Sequence, residues 1–71
     1  MTSVREDITQ KLREAPKGVP LTYLEVSYLL KFAPNGGAKR LARASLRKAR
    51  QDGVGCILPQ GVVASLLRSA P

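Results

Sequence analysis

The sequence has few of the residues that build catalytic and metal sites. Its 71 residues include one cysteine, Cys56, and neither histidine nor tryptophan. A single cysteine excludes an intramolecular disulfide, and a zinc site would lack its usual ligands. Because Cys56 lies among apolar residues with no histidine to activate it, we interpret it as a small buried side chain. The acidic residues fit helix starts and ends and form no convincing catalytic pair. The sequence predicts no enzyme, no cofactor and no metal.

Long apolar runs are also missing. No stretch approaches the roughly 20 apolar residues that a membrane span needs, and residues 1–7 lack the pattern of a signal peptide. We therefore expect no membrane partner and a cytoplasmic, nucleoid-associated location. A chain of this length has room for one domain, residues 1–71, with one small core.

Negative charge is scarce, whereas positive charge is plentiful. Twelve Lys and Arg face five Asp and Glu, which gives a formal net charge of +7. This balance is typical of proteins that bind nucleic acid. With two Tyr and one Phe, the chain has too few aromatic residues for the base stacking on which single-strand recognition depends. The sequence favours double-stranded DNA over RNA.

Two capping boxes predict the first two helices. Ser3 with Glu6 begins a helix over residues 4–15, which Pro16 and Gly18 end. Thr22 with Glu25 begins a second helix over residues 23–32. The segment 33–37 then breaks the helical pattern through its Pro and Gly residues.

The remainder predicts a third helix and a short strand. Residues 38–52 favour helix, and Gly53 followed by Val54 fits a left-handed cap with an apolar contact. Residues 56–58 predict a strand and residues 59–61 a turn. Residues 62–69 fit either a return strand or a last helix, and residues 68–71 are expected to fray.

The third helix is amphipathic in an unusual way. At about 100° per residue, five basic residues share one arc and small or apolar residues share the opposite arc. The basic arc, hereafter the basic face, consists of Lys39, Arg40, Arg43, Arg47 and Arg50; the opposite arc consists of Ala38, Leu41, Ala42, Ser45 and Ala49. Lys48 lies outside the basic face. A solvated face normally mixes signs, but residues 38–51 contain no acid, so we interpret the basic face as a contact to nucleic acid.

The loop before this helix has two interpretations. The backbone N–H groups of Asn35, Gly36 and Gly37 and the positive end of the helix dipole are suited to hold a phosphate. Equally, the glycines could serve a turn that the angle between the helices requires. The two interpretations are compatible.

Several segments in the last 50 or so residues follow a recurring order. They are residues 17–26 (KGVPLTYLEV), 35–42 (NGGAKRLA), 45–47 (SLR) and 57–63 (ILPQGVV). Together they resemble the C-terminal domain of the alkylguanine-DNA alkyltransferases and their catalytically inactive alkyltransferase-like relatives. The resemblance implies that the third helix is a recognition helix in the minor groove. It implies that Arg40 fills the gap left by a flipped base and that Tyr23 presses on the DNA backbone.

The departures from this family are informative. Gln60 stands where the family has its acceptor cysteine, and Gly61 and Val62 replace its His and Arg. Arg43 and Ala44 replace small glycines of the recognition helix. Alkyl transfer is therefore not expected.

The sequence thus predicts a mainly α, winged helix-turn-helix-like domain of three helices with a C-terminal strand-turn segment. We expect it to bind duplex DNA through residues 38–52 with little sequence preference, because Arg and Lys serve equally well as phosphate ligands. One alternative is a sensor of alkylated DNA that recruits repair proteins. Another is a protein-interaction module whose basic face docks an acidic partner.

Overall fold

The first two helices begin where their capping residues predict. The computed structural model describes residues 3–15, 17–53 and 55–71. Helix α1 spans Val4–Glu14, and the Ser3 side chain accepts a hydrogen bond from the Glu6 N–H at 3.2 Å. Helix α2 spans Tyr23–Phe32 and has both bonds of the capping box between Thr22 and Glu25. These predictions are confirmed to within one residue, whereas the role of Pro16 lies outside the described residues.

Helix α3 spans Gly37–Asp52, one residue longer than predicted at its start. It ends at Gly53, whose φ of 71° is left-handed and whose N–H donates to the Ala49 carbonyl at 2.8 Å. The predicted cap at Gly53 is therefore confirmed. The apolar contact expected of Val54 lies outside the described residues.

A two-stranded antiparallel sheet joins the two halves of the chain. Strand β1 spans Val19–Leu21 and strand β2 spans Cys56–Leu58, with Val19 opposite Leu58 and Leu21 opposite Cys56. The sequence predicted β2 but not β1, because three residues with a central proline carry almost no strand signal. These four residues are buried, whereas Pro20 and Ile57, which form the central pair, are exposed.

The C-terminal segment differs from the prediction. Residues 59–61 do not form a turn, since Pro59 is the N-cap of helix α4, which spans Gln60–Ser69. This helix, and not a return strand, accounts for residues 62–69, because the buried Val63, Leu66 and Leu67 share one helical face.

The chain end is not frayed either. Ala70 is buried, and the Tyr28 hydroxyl donates to the Pro71 carbonyl at 2.8 Å. Helix α4 contacts α1, α2 and α3, so it completes the core that the four helices share. The described residues thus form a mainly α-helical compact domain of four helices with a two-stranded antiparallel sheet, not the predicted three-helix arrangement with a strand-turn end.

Candidate nucleic-acid interface

Small residues let α3 pack closely against the core. Ala42 and Ala49 are buried, and Ala38 and Ser45 are half-buried. Leu41 was expected on this inner arc but is 43% exposed, so that part of the prediction is wrong. The buried stripe is centred near Ala42 and Ala49, and Leu46 on its other flank packs against the core instead.

The basic face lies largely in solvent. Arg40, Arg43, Arg47 and Arg50 are exposed and Lys39 is half-buried. Arg43, Arg47 and Arg50, with Leu46 and Gln51, line an open recess of about 370 Å³, hereafter the arginine recess. Lys48 lies on a different flank, where it lines a separate recess with Cys56 and Ile57.

No carboxylate neutralises these cations among the residues that the structure describes. The one ion pair there joins Lys11 to Glu25, far along the chain from the basic face. Exposed like charges on one helix repel each other and destabilise it by a few tenths of a kcal/mol per neighbouring pair. A helix that keeps five cations on one arc, four of them exposed, is therefore suited to an anionic partner.

Tyr23 extends the basic face onto a second helix. It is the first residue of α2, it is 45% exposed, and the Arg50 guanidinium carbon lies 5.6 Å from its ring centroid. This distance is within the range of a cation–π contact. The sequence singled out both residues as DNA contacts but gave no sign that they meet, because packing of α2 on α3 decides it.

The loop before α3 leaves helix N–H groups without a side-chain cap. Asn35, Gly36 and Gly37 are all exposed, and the N-cap Gly36 makes no side-chain capping bond. Gly36 has a φ of 161°, which is close to extended backbone, and a Cβ on either glycine would meet no atom within 4 Å. The space around the loop therefore does not require glycine, and the interpretation as a turn set by the angle between the helices stays a prediction. The loop borders a small pocket of about 190 Å³ together with Lys39 and Ser65.

Cys56 is enclosed in the core, whereas Gln60 is exposed. Cys56 is 3% exposed, and its thiol donates to the Ser45 carbonyl at 3.6 Å. Burial raises the pKa of this thiol, which disfavours the reactive thiolate. The interpretation of Cys56 as a buried side chain is confirmed. Gln60 is exposed at the start of α4.

Glu25 has a second role that sequence reasoning missed. Its side chain is nearly buried, and it accepts hydrogen bonds from Lys11 Nζ and from the Thr22 N–H. Burial by itself would raise the pKa of Glu25, but the bonds from Lys11 and Thr22, with the charge of Lys11, lower it below its ordinary value. The pair ties α1 to the start of α2, next to Tyr23. No sequence signal marks Lys11 as the partner.

Among the described residues, no group of three or more His, Cys, Asp or Glu is placed to hold a metal ion. None of the described helices is both long and apolar enough to cross a membrane.

Comparison with known proteins adds no relative. No family model, curated protein or solved structure matches this chain significantly. The function must therefore be inferred from the interface itself.

Proposed function

We propose that this domain is a non-enzymatic DNA-binding protein that holds duplex DNA through α3. The observation that carries the proposal is the basic face, on which four exposed arginines share one helix with no carboxylate partner among the described residues. A phosphodiester backbone is a suitable partner for such a row of cations, because each phosphate that a cation neutralises releases a condensed counterion.

The packing of α3 turns its basic face outward. Ala42 and Ala49 are buried on the inner side of the helix, and the four arginines of the basic face are exposed on the outer side. We propose that the chain is a winged helix-turn-helix-like domain in which α2 precedes the recognition helix α3. The resemblance of residues 17–26, 35–42 and 45–47 to alkyltransferase-like proteins favours the minor groove for α3, with Arg40 on the DNA and the start of α2 next to it.

Sequence preference should be weak. The basic face offers only Lys and Arg, whose donors bind phosphate oxygens as readily as base edges. The capping loop at residues 35–37 adds backbone N–H groups, which carry no base information. Binding should therefore depend on duplex geometry and charge more than on base identity.

A gel-shift series at low salt tests this proposal. It compares a plain duplex, the same duplex with one alkylguanine, and the corresponding single strand. We expect both duplexes to bind equally and the single strand to bind more weakly. A marked preference for the alkylated duplex would select the damage-sensor alternative, and failure to shift any duplex would favour an acidic protein partner.

A matched pair of double variants separates the basic face from overall charge. Arg43→Gln with Arg47→Gln removes two exposed cations from α3, whereas Arg5→Gln with Arg13→Gln removes two exposed cations from α1. The α3 variant should lose far more duplex affinity than the α1 variant. Equal losses would contradict the assignment of α3.

The same incubation with alkylated duplex tests the absence of group transfer. Because Cys56 is buried with a raised pKa, and Gln60 cannot accept an alkyl group, the intact mass of the protein should stay unchanged. A stoichiometric mass increase on Cys56 would overturn the non-enzymatic assignment.

A further inference from the structure

We propose that the arginine recess is a phosphate-binding site and that Tyr23 acts there as a positioning residue, by holding the Arg50 guanidinium. This inference rests on the proposed function, since the phosphate is one of the DNA backbone. It replaces the direct contact of Tyr23 with DNA that the resemblance implies, because here Tyr23 acts through Arg50.

The contact with Tyr23 is not a hydrogen bond, so donors of Arg50 remain available. Its guanidinium carbon lies 5.6 Å from the Tyr23 ring centroid, so the contact is between the cation and the ring. Such a contact is an attraction between the positive charge and the electrons of the ring, and the guanidinium has five N–H donors. Arg50 can therefore keep this contact and still donate two parallel hydrogen bonds to one phosphate.

The ring that holds Arg50 is itself anchored. Tyr23 is the first residue of α2 and follows the N-cap Thr22, whose backbone N–H and side chain are both bonded to Glu25. Glu25 is in turn paired with Lys11 on α1. The start of α2 is thus tied by three residues, so Tyr23 offers a fixed surface.

The recess needs such an anchor because its cations repel one another. Arg43, Arg47 and Arg50 line the same recess, and no described carboxylate pairs with any of them. Without Tyr23, the long Arg50 side chain would be free to turn away from its neighbours. Holding it in place lowers the conformational entropy that is lost when a phosphate binds.

A mutant cycle measured as Kd for one plain duplex tests the positioning role. Tyr23→Phe retains the ring and removes the hydroxyl, so it should bind within about twofold of wild type. Tyr23→Leu removes the ring and should bind about three- to tenfold more weakly. This loss corresponds to the entropic cost of ordering one long side chain, that of Arg50, when phosphate binds. Arg50→Gln should bind at least as weakly as Tyr23→Leu, and adding Tyr23→Leu to Arg50→Gln should cause no further loss.

The opposite pattern would overturn the proposal. If Tyr23→Phe binds as weakly as Tyr23→Leu, the hydroxyl contacts DNA directly. If Tyr23→Leu still weakens binding in the Arg50→Gln background, Tyr23 does not act through Arg50. Thermal melting of each variant shows whether it is folded, and Tyr23→Phe keeps the test valid if Tyr23→Leu does not fold.

A second measurement distinguishes failure of this site from failure of the proposed function. Inorganic phosphate is titrated into the protein while the Arg50 Nε–Hε resonance is followed by NMR. We expect this resonance to shift in wild type and Tyr23→Phe, and much less in Tyr23→Leu. If wild type binds no duplex but phosphate shifts the Arg50 resonance in this Tyr23-dependent way, the recess is a phosphate site and the proposed DNA binding is wrong. If the duplex binds but phosphate leaves Arg50 unchanged and the cycle shows no coupling, this inference is wrong.

Discussion

Arg40 and Lys48 carry the same charge on the same helix but lie on different flanks of it. Arg40 belongs to the basic face, whereas Lys48 lines the recess beside Cys56 and Ile57. If α3 lies in a groove, Arg40→Ala should weaken duplex binding by about 1–3 kcal/mol, the usual cost of a lost close arginine contact. Lys48→Ala should weaken duplex binding by only a few tenths of a kcal/mol, as is typical of an exposed charge.

Fluorescence anisotropy at fixed salt measures both affinities. Both side chains are exposed, so the melting temperatures of the two variants should match that of wild type. Equal losses of affinity would mean that binding depends on the total charge of α3 and not on which flank of the helix carries it. A larger loss for Lys48→Ala would show that another flank of α3 faces the DNA.

Glu25 should make stability depend on pH at the acidic end. Its folded-state pKa lies below its ordinary value of 4.5, so the unfolded chain binds its proton more readily. The stabilisation is complete above about pH 4.5 and is lost as the pH falls through the lower, folded-state pKa. Glu25→Gln should therefore lower the free energy of unfolding at pH 7 by about 1–3 kcal/mol, since a charged hydrogen bond to Lys11 is removed.

Urea unfolding at several pH values checks this expectation. The difference between wild type and Glu25→Gln should shrink as the pH is lowered below 4.5. Glu6→Gln is the control, because Glu6 is an exposed residue at the equivalent position of α1. A pH-independent difference for Glu25→Gln would mean that lost packing, and not the carboxylate charge, weakens the protein.

At the scale of helices, two glycines should respond in opposite directions to alanine. Gly53 ends α3 with a φ of 71°, whereas Gly61 lies in the first turn of α4 without a positive φ. An added Cβ meets no atom within 4 Å at either place, so only the backbone decides. Gly53→Ala should destabilise the protein by about 1–2 kcal/mol, and Gly61→Ala should stabilise it by about 0.4–1 kcal/mol.

Thermal melting of the two variants measures these effects. Neither residue belongs to the basic face, so duplex affinity should stay near that of wild type. A stabilising Gly53→Ala would show that α3 does not need its left-handed cap.

The elements also differ in how well the sequence specifies them. Helix α2 was predicted to the residue, because Thr22 and Glu25 satisfy its first N–H groups locally. Strand β1 was not predicted, and for helix α4 the sequence left a strand and a helix open. Val19–Leu21 becomes a strand only when Cys56–Leu58 pairs with it, and Pro59 can precede a turn as easily as it can cap a helix.

For the whole molecule, the net charge of +7 should make binding strongly dependent on salt. Each phosphate neutralised on duplex DNA contributes about −0.9 to the slope of log affinity against log salt concentration. If three to five cations of the basic face contact phosphates, the slope should be roughly −3 to −5. Anisotropy titrations between low and physiological salt measure it, and a slope near zero would show that another surface binds.

The sequence by itself determined the helices with local signals and the charge of their faces. Capping boxes at Ser3 and Thr22, the glycine at 53 and the spacing of the basic residues on α3 act within a few residues of one another. Such signals operate before any tertiary contact forms. The candidate interface on α3 was therefore visible from the sequence, apart from Leu41, whose exposure depends on which flank the neighbouring elements cover.

Only the tertiary structure decided which distant residues meet. The pairing of β1 with β2, the cation–π contact of Arg50 with Tyr23 and the bond between Lys11 and Glu25 all join residues that are far apart in the chain. Each contact depends on the angles at which whole helices pack, and those angles depend on the burial of Ile8, Val26, Leu29 and Leu66 in one shared core. No local pattern encodes such distances, because the free energy that sets them comes from removing many apolar side chains from water together.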